Sequence, residues 1–340
     1  MSTPDLEATA RALLPAGKGI LAADESSGTI SKRFDSIQLA CTEETRRAYR
    51  DLLFTTPGIE EFISGVILFD ETIHQKALDG TPFPDLLARK GILPGIKVDK
   101  GAVDLAGFPK EKVTDGLDGL RDRLAHYRGL GARFAKWRAV ITIGEGIPTR
   151  PCIEVNAHAL ARYASLCQEA GLVPIVEPEV LMDGDHPISR CEAATEATLH
   201  RVFDHLQEQR VRLEGILLKP NMILSGKQCP QQAGATEVAE TTIRCFRRVV
   251  PAAVPGIVFL SGGQSPQRAT EHLNAMNAVG PHPWEISFSY ARALQEPPLK
   301  AWKGEKSNIP AAQRLFAHRA RCNSAARFGR YSGQMEVMAA

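Results

Sequence analysis

Eight short apolar runs, a polar residue closing each, and helix-length segments between them predict an α/β fold: one closed (β/α)8 TIM barrel. The runs are Gly19-Ile-Leu-Ala-Ala-Asp24, Gly65-Val-Ile-Leu-Phe-Asp70, Gly95-Ile-Lys-Val-Asp99 and Phe134-Ala-Lys-Trp-Arg-Ala-Val140. They continue with Val173-Pro-Ile-Val-Glu177, Gly215-Ile-Leu-Leu-Lys219, Gly256-Ile-Val-Phe-Leu-Ser261 and Ile286-Ser-Phe-Ser-Tyr290. Near-continuous apolarity fits strands covered on both faces, as in a parallel sheet. An average spacing of about 38 residues leaves room for a crossover helix in every βαβ unit.

The intervening segments carry helical periodicity. Leu117, Leu120, Leu124, Tyr127 and Leu130 recur at three- and four-residue steps with charged residues between them. Ala157, Leu160, Ala161 and Ala164 repeat the pattern, which ends at Ala170-Gly171 with glycine placed as a C′ residue. Such alternation is compatible with an open doubly wound sheet or a closed barrel. The open sheet is expected to carry a Gly-x-Gly-x-x-Gly turn after its first strand. Here that strand runs into Asp24-Glu25-Ser26-Ser27-Gly28, and no Walker A loop occurs either, so the barrel is preferred. Residues 1–340 are expected to form one domain, with a short mobile tail from about 331 to 340.

Composition excludes several classes. Lys plus Arg number 41 against 39 Asp plus Glu, and aromatics are 6%, so neither a basic footprint nor a stacking platform for nucleic acid is present. The seven cysteines are scattered without a Cys-x-x-Cys pair, which speaks for a reduced, cytoplasmic setting. The acidic start Met1-Ser-Thr-Pro-Asp-Leu-Glu7 has no apolar h-region, and the longest uncharged stretch, Val249 to Gln267, is broken by prolines and glycines. Neither a secretory signal nor a membrane span is expected.

Barrel strands deliver their C-terminal ends to one face, where catalytic residues gather. Those ends carry Asp24, Asp70, Glu71, Lys97, Asp99, Lys136, Arg138, Glu177, Glu179, Lys219, Ser261, Ser289 and Tyr290. Lys97, Lys136 and Lys219 interrupt or close runs otherwise fit for burial, and an unpaired buried ammonium is costly. Either the lysines snorkel to the rim or they form a working group. A cationic neighbour disfavours a second ammonium, so one amine can act as a nucleophile on a carbonyl, giving a protonated imine that serves as an electron sink. Glu177 and Glu179, two apart on one strand, share a face; they serve either as acid–base groups or as counterions. No histidine closes a strand and no metal-spaced ligand set appears at a strand end, so no metal is expected at the mouth.

Ser261-Gly-Gly-Gln-Ser265 follows the seventh run and Ser289-Tyr-Ala-Arg292 the eighth. Barrels often build phosphate sites there, and Gly262-Gly263 reads either as close backbone approach to a phosphate or as a tight turn. Thr29, Lys32 and Arg33 form a second cationic set after the first run. Two anion sites flanking a central lysine suit a substrate phosphorylated at both ends.

These motifs resemble the class I fructose-bisphosphate aldolases. The resemblance is carried by Gly19-Ile-Leu-Ala-Ala-Asp-Glu-Ser26, Gly95-Ile-Lys-Val-Asp-Lys-Gly101, Phe134-Ala-Lys-Trp-Arg138, Ile175-Val-Glu-Pro-Glu179, Leu217-Leu-Lys-Pro-Asn-Met222 and Phe259-Leu-Ser-Gly-Gly-Gln-Ser265. It runs in register from about residue 5 to about 332. It implies a cofactor-free, metal-independent enzyme that reversibly cleaves fructose 1,6-bisphosphate to dihydroxyacetone phosphate and glyceraldehyde 3-phosphate. By the same resemblance Lys219 forms the imine, Glu177 is the general acid/base with Glu179 beside the lysine, Lys136 assists carbinolamine formation, and Asp24 handles the C4 hydroxyl. Lys97 and Arg138 line the site; Ser261, Gly262 and Arg292 hold the ketone-side phosphate, and Thr29, Lys32 and Arg33 the far one. A homotetramer is implied too.

The chain departs from the family's muscle-type pattern in ending Met335-Glu-Val-Met-Ala-Ala340 without a terminal tyrosine; Tyr331 is its last. Thr29 stands where serine is common, and Ala291 where glycine is common. A transaldolase-like imine enzyme and a barrel that only binds sugar phosphates are the competing readings.

Overall fold

All eight runs are parallel barrel strands in the computed structural model, which describes residues 3–337. In chain order the strands are β1 (Gly19–Ala23), β2 (Ile63–Leu68), β3 (Leu93–Lys97), β4 (Gly101–Asp104) and β5 (Lys112–Asp115). There follow β6 (Phe134–Ile141), β7 (Val173–Val180), β8 (Leu217–Leu218), β9 (Gly256–Phe259) and β10 (Glu285–Tyr290). The barrel closes in the order β1-β10-β9-β8-β7-β6-β3-β2, while β4 and β5 form a separate antiparallel hairpin. Closure is made where Ile20 pairs with Ser289 and Leu21 with Tyr290.

The period-two alternation of a strand sorts side chains into two cores. Leu21, Ala135, Trp137, Val176 and Leu218 belong to the large outer core between strands and helices. Ile20, Ala22, Ile67, Phe134, Ile175, Leu217 and Val258 form a smaller core inside the barrel, joined by Leu6, Ala10, Leu13 and Leu14. The helix Thr3–Ala12 and the two leucines after it therefore plug the N-terminal end of the barrel. Glycines on the strands make the room. A Cβ on Gly65 would stand 2.7 Å from Leu13, one on Gly256 2.5 Å from Leu14, and one on Gly95 2.3 Å from Phe134.

The surrounding helices keep their expected stripes. Helix Leu120–Gly129 buries Leu120, Leu124 and Tyr127. Helix Arg150–Glu169 begins before the periodic stretch that announced it, because the Thr149 hydroxyl caps it by accepting from the Cys152 N–H. Gly131 and Gly171 follow these helices with φ of +99° and +72°, the left-handed conformation glycine adopts freely. No helix among the described residues is long and apolar enough to cross a membrane.

The segment expected to be a loose tail is in contact with the barrel helices as far as it is described. Tyr331 is buried, its N–H donates to Asn274 Oδ1 at 2.8 Å, and a short helix spans Gln334–Val337. Residues 338–340 of that segment lie outside the described residues.

Candidate active site

On four strands, the inward side chain two residues beyond an apolar inward position is charged. Phe134 is succeeded by Lys136 and Arg138, Ile175 by Glu177 and Glu179, Leu217 by Lys219, and Ala22 by Asp24. The apolar layer thus forms the floor of a cavity of about 870 Å³ at the C-terminal mouth, lined by all thirteen residues to which the resemblance gives a role; of the other strand-end candidates, Glu71 and Tyr290 do not line it. Strand register sets neighbours: Lys97 pairs with Lys136, and Arg138 with Glu177. Strands β6 and β7 run on to Ile141 and Val180, so Arg138, Glu177 and Glu179 lie within strands rather than closing them.

Lys136 and Lys219 do not snorkel; they are 3% and 4% exposed. Both face one carboxylate. Glu177 Oε1 is 3.2 Å from Lys219 Nζ and Oε2 is 3.3 Å from Lys136 Nζ. Lys136 also lies 2.7 Å from Asp24 Oδ2 and 4.0 Å from Asp99 Oδ2. Asp99 in turn holds Lys97 at 2.5 Å and accepts from the Arg138 N–H at 3.2 Å. Burial alone would raise the Asp24 carboxyl, but the neighbouring Lys136, Lys219 and Lys97 side chains hold it well below the usual carboxylate range. Burial works against the Lys136 ammonium as well, and Asp24, Glu177 and Asp99 outweigh it, so Lys136 is a firm cation. Buried charges at this density are tolerated only when paired in this way.

Lys219 is aimed by its motif. The strand hydrogen bonding of β8 ends with the Lys219 N–H donating to Val176 O, and Pro220 cannot continue the ladder. Asn221 then ties the turn to the neighbouring strand: its Oδ1 accepts from the Val180 N–H at 2.9 Å and its Nδ2 donates to Thr195 Oγ1 at 3.2 Å.

The rim is cationic. Gly262 and Gly263 have φ of +59° and +87°, and a Cβ on Gly263 would stand 2.9 Å from Arg292 Nη2 and 3.2 Å from Lys227 Nζ. The glycine pair therefore makes the turn and also lets two cations lie against its backbone. Burial, followed by the nearby Arg33 and Arg138 guanidiniums, lowers the pKa of Arg292, which makes no ion pair within 4 Å among the described residues. An anion there would relieve that repulsion. Ser289 Oγ, also lining the cavity, is buried without a hydrogen-bond partner among the described residues. Also lining the cavity, Thr29 and Lys32 are exposed, and Arg33 is bound by Glu25.

Several supports were not singled out from sequence. Buried Glu25 holds both Arg33 and, at 2.5 Å, Arg50; Gln295 donates to Glu25 at 2.8 Å and to Ala22 O at 2.6 Å. Gln264 donates to Ser261 O at 3.0 Å while His272 Nδ1 sits 2.5 Å from Gln264 Oε1, bracing the glycine turn. Burial pushes His272 down to about 3, so it acts as a neutral ring. Their only sequence signal is local: Glu25 follows Asp24, so it points to the opposite face.

Fold and site together define a barrel lyase, with a lysine–carboxylate centre below a cationic rim. The family description "Fructose-bisphosphate aldolase class-I" matches residues 5–340, and the chain belongs to that family. A "probable fructose-bisphosphate aldolase class 1" of Xanthomonas campestris pv. campestris is 58% identical over 98% of this chain and 100% of its own. The "fructose-bisphosphate aldolase 6, cytosolic" of Arabidopsis thaliana is 55% identical over 94% of this chain and 90% of its own. Among solved structures, fructose-bisphosphate aldolase from Plasmodium falciparum, in complex with TRAP and a small-molecule inhibitor, superposes with a TM-score of 0.96 at 52% identity. It covers 97% of this chain and 96% of its own.

Proposed function

We propose that the protein reversibly cleaves fructose 1,6-bisphosphate to dihydroxyacetone phosphate and glyceraldehyde 3-phosphate, without a metal, through an imine on Lys219. The observation that carries this reading is the single carboxylate, Glu177, set between two buried lysines. A buried amine beside a proton acceptor is primed to attack the C2 carbonyl. Glu177 receives the proton from the attacking nitrogen and returns one to the departing hydroxyl, so that water leaves and the iminium forms. Lys136 stays charged throughout and stabilises the oxyanion that develops on the way. Asp24 then takes the C4 hydroxyl proton. The C3–C4 bond breaks, its electron pair enters the iminium as an enamine, and the aldehyde is released. Protonation at C3 and hydrolysis free the ketone and regenerate Lys219.

Glu179 holds Arg138 at 2.5 Å and keeps it beside the lysines, with Lys97 on the other side. Ser261, Gly262 and Arg292 would take the ketone-side phosphate, and Thr29, Lys32 and Arg33 the far phosphate; all six line the cavity. The Thr29 hydroxyl lies 3.1 Å from Ser26 Oγ, so threonine serves where serine is common. Tyr331 is bonded to Glu336 and does not line the cavity, so it has no part in this scheme. A cytoplasmic enzyme acting as a homotetramer completes the proposal.

Sodium borohydride with dihydroxyacetone phosphate and EDTA tests the imine. Intact mass should rise by one reduced adduct, mapped to Lys219, and Lys219→Met should stay folded, as a cooperative melt shows, while losing adduct and turnover. An unmodified parent protein that still binds the ligand would leave a binding-only barrel. Turnover that requires an added acceptor aldehyde would instead favour a transaldolase-like enzyme.

A further inference from the structure

Helix Ile309–Arg327 carries His318 and Cys322 one turn apart on one face. After this helix the chain reverses at Gly329 and Tyr331 is tied to Asn274, which brings Glu336 back against the same face. His318 Nε2 lies 3.4 Å from Cys322 Sγ and 3.7 Å from Glu336 Oε2, and one ligand atom from each residue falls within 4.8 Å of the others. Tetrahedral zinc, with ligand bonds of about 2.0–2.3 Å, needs its ligand atoms roughly 3.4–3.6 Å apart. The histidine–cysteine separation meets that need, and the histidine–glutamate separation needs little closure.

The carboxylate is already divided in the manner of a metal ligand. Arg319 and, at 2.7 Å, the Tyr331 hydroxyl donate to Glu336 Oε1, leaving Oε2 toward His318. Outer donors of this kind fix the direction of a ligating carboxylate. His318 and Glu336 side chains are 14% and 20% exposed, so an ion has a way in from solvent. None of the three residues lines the barrel cavity.

We propose that His318, Cys322 and Glu336 bind one divalent ion of the zinc class, a structural site that clamps the C-terminal segment to the last long helix. Water completes the tetrahedron. A thiolate and an imidazole select zinc over magnesium or calcium, which prefer all-oxygen sets. Binding forms the Nε2, Sγ and Oε2 bonds to the ion and breaks the S–H bond, whose proton leaves to solvent. The thiolate offsets one of the two charges of the ion, and because the Glu336 carboxylate already answers Arg319, the loaded cluster with Arg319 carries one net positive charge. The site is independent of the imine chemistry at the mouth.

The test uses the full chain, stripped with EDTA and titrated with Zn²⁺ and separately with Co²⁺. One ion per chain is expected, with a thiolate-to-cobalt charge-transfer band and visible bands of tetrahedral intensity. Cys322→Ser, a near-isosteric change, should abolish the charge-transfer band and weaken binding by more than the roughly tenfold that losing an outer partner costs. Amide exchange over residues 331–337 should slow on adding Zn²⁺ to the parent and not to this variant. Should Cys322→Ser fold poorly, His318→Gln carries the same comparison. The proposal is overturned by no binding at millimolar Zn²⁺, or by binding that neither variant changes, as an ion on partly exposed Cys41 or Cys229 would show.

Discussion

Glu177 faces Lys136 with one oxygen and Lys219 with the other, so its protonation state is felt by both amines at once. Glu177→Gln keeps the size of the side chain and removes its proton capacity. Steady-state kinetics on fructose 1,6-bisphosphate should show kcat lower by about 10²- to 10⁴-fold with KM little changed. A comparable rise in KM at unchanged kcat would mean that Glu177 only positions substrate. These residues were legible in the sequence because burial makes charge conspicuous. A lysine two positions past an inward apolar residue stands out in Phe134-Ala-Lys136 and in Leu217-Leu-Lys219. The supports were harder to see. Arg50 and Gln295 meet 245 positions apart, and nothing in either neighbourhood announces the other.

Among the elements, the barrel-strand glycines carry the sharpest structural constraint. Gly95→Ala places a methyl 2.3 Å from the Phe134 ring, inside a barrel with no slack. Overpacking of this kind should cost about 1–3 kcal/mol and lower the melting temperature in a calorimetric scan; an unchanged midpoint would show that Phe134 can swing aside. The barrel strands were readable because both of their faces are covered, which forces unbroken apolar runs. The hairpin β4–β5 was not read, since Ala102, Val103 and Asp104 are exposed and no apolar run marks them. The plug escaped for another reason: Leu13 and Leu14, just after its helix, pack on Gly65 and Gly256, so half of its signal is the absence of side chains elsewhere. Strand β8 is only two residues long, and its run was recognised through Gly215-Ile-Leu-Leu more than through strand length.

At the scale of the whole molecule, the charged centre links stability to pH. The folded-state pKa of Asp24 is depressed, so its contribution is fully present above the ordinary value of 3.8 and is lost as pH falls below it. Glu25, which burial would raise and Arg33 and Arg50 lower, adds to the same acid limb. Lys136 is raised, so its contribution is fully present below 10.5 and is lost as pH rises beyond it. Melting temperature should therefore form a plateau between these limits, and Asp24→Asn should flatten the acid side. An acid limb identical in parent and variant would assign it to other carboxylates.

The ring closure between β1 and β10 has a consequence for biosynthesis. Ile20 and Leu21 emerge early and wait for Ser289 and Tyr290 before their edge is covered. A nascent chain that stops before Glu285, and so lacks β10, is an open, curled sheet with two unpaired borders, the condition in which strands recruit neighbours on other chains. Lys219 is already present in that unfinished sheet, but Arg292 is not. Truncated translation products would thus be both sticky and without their ketone-side anion site.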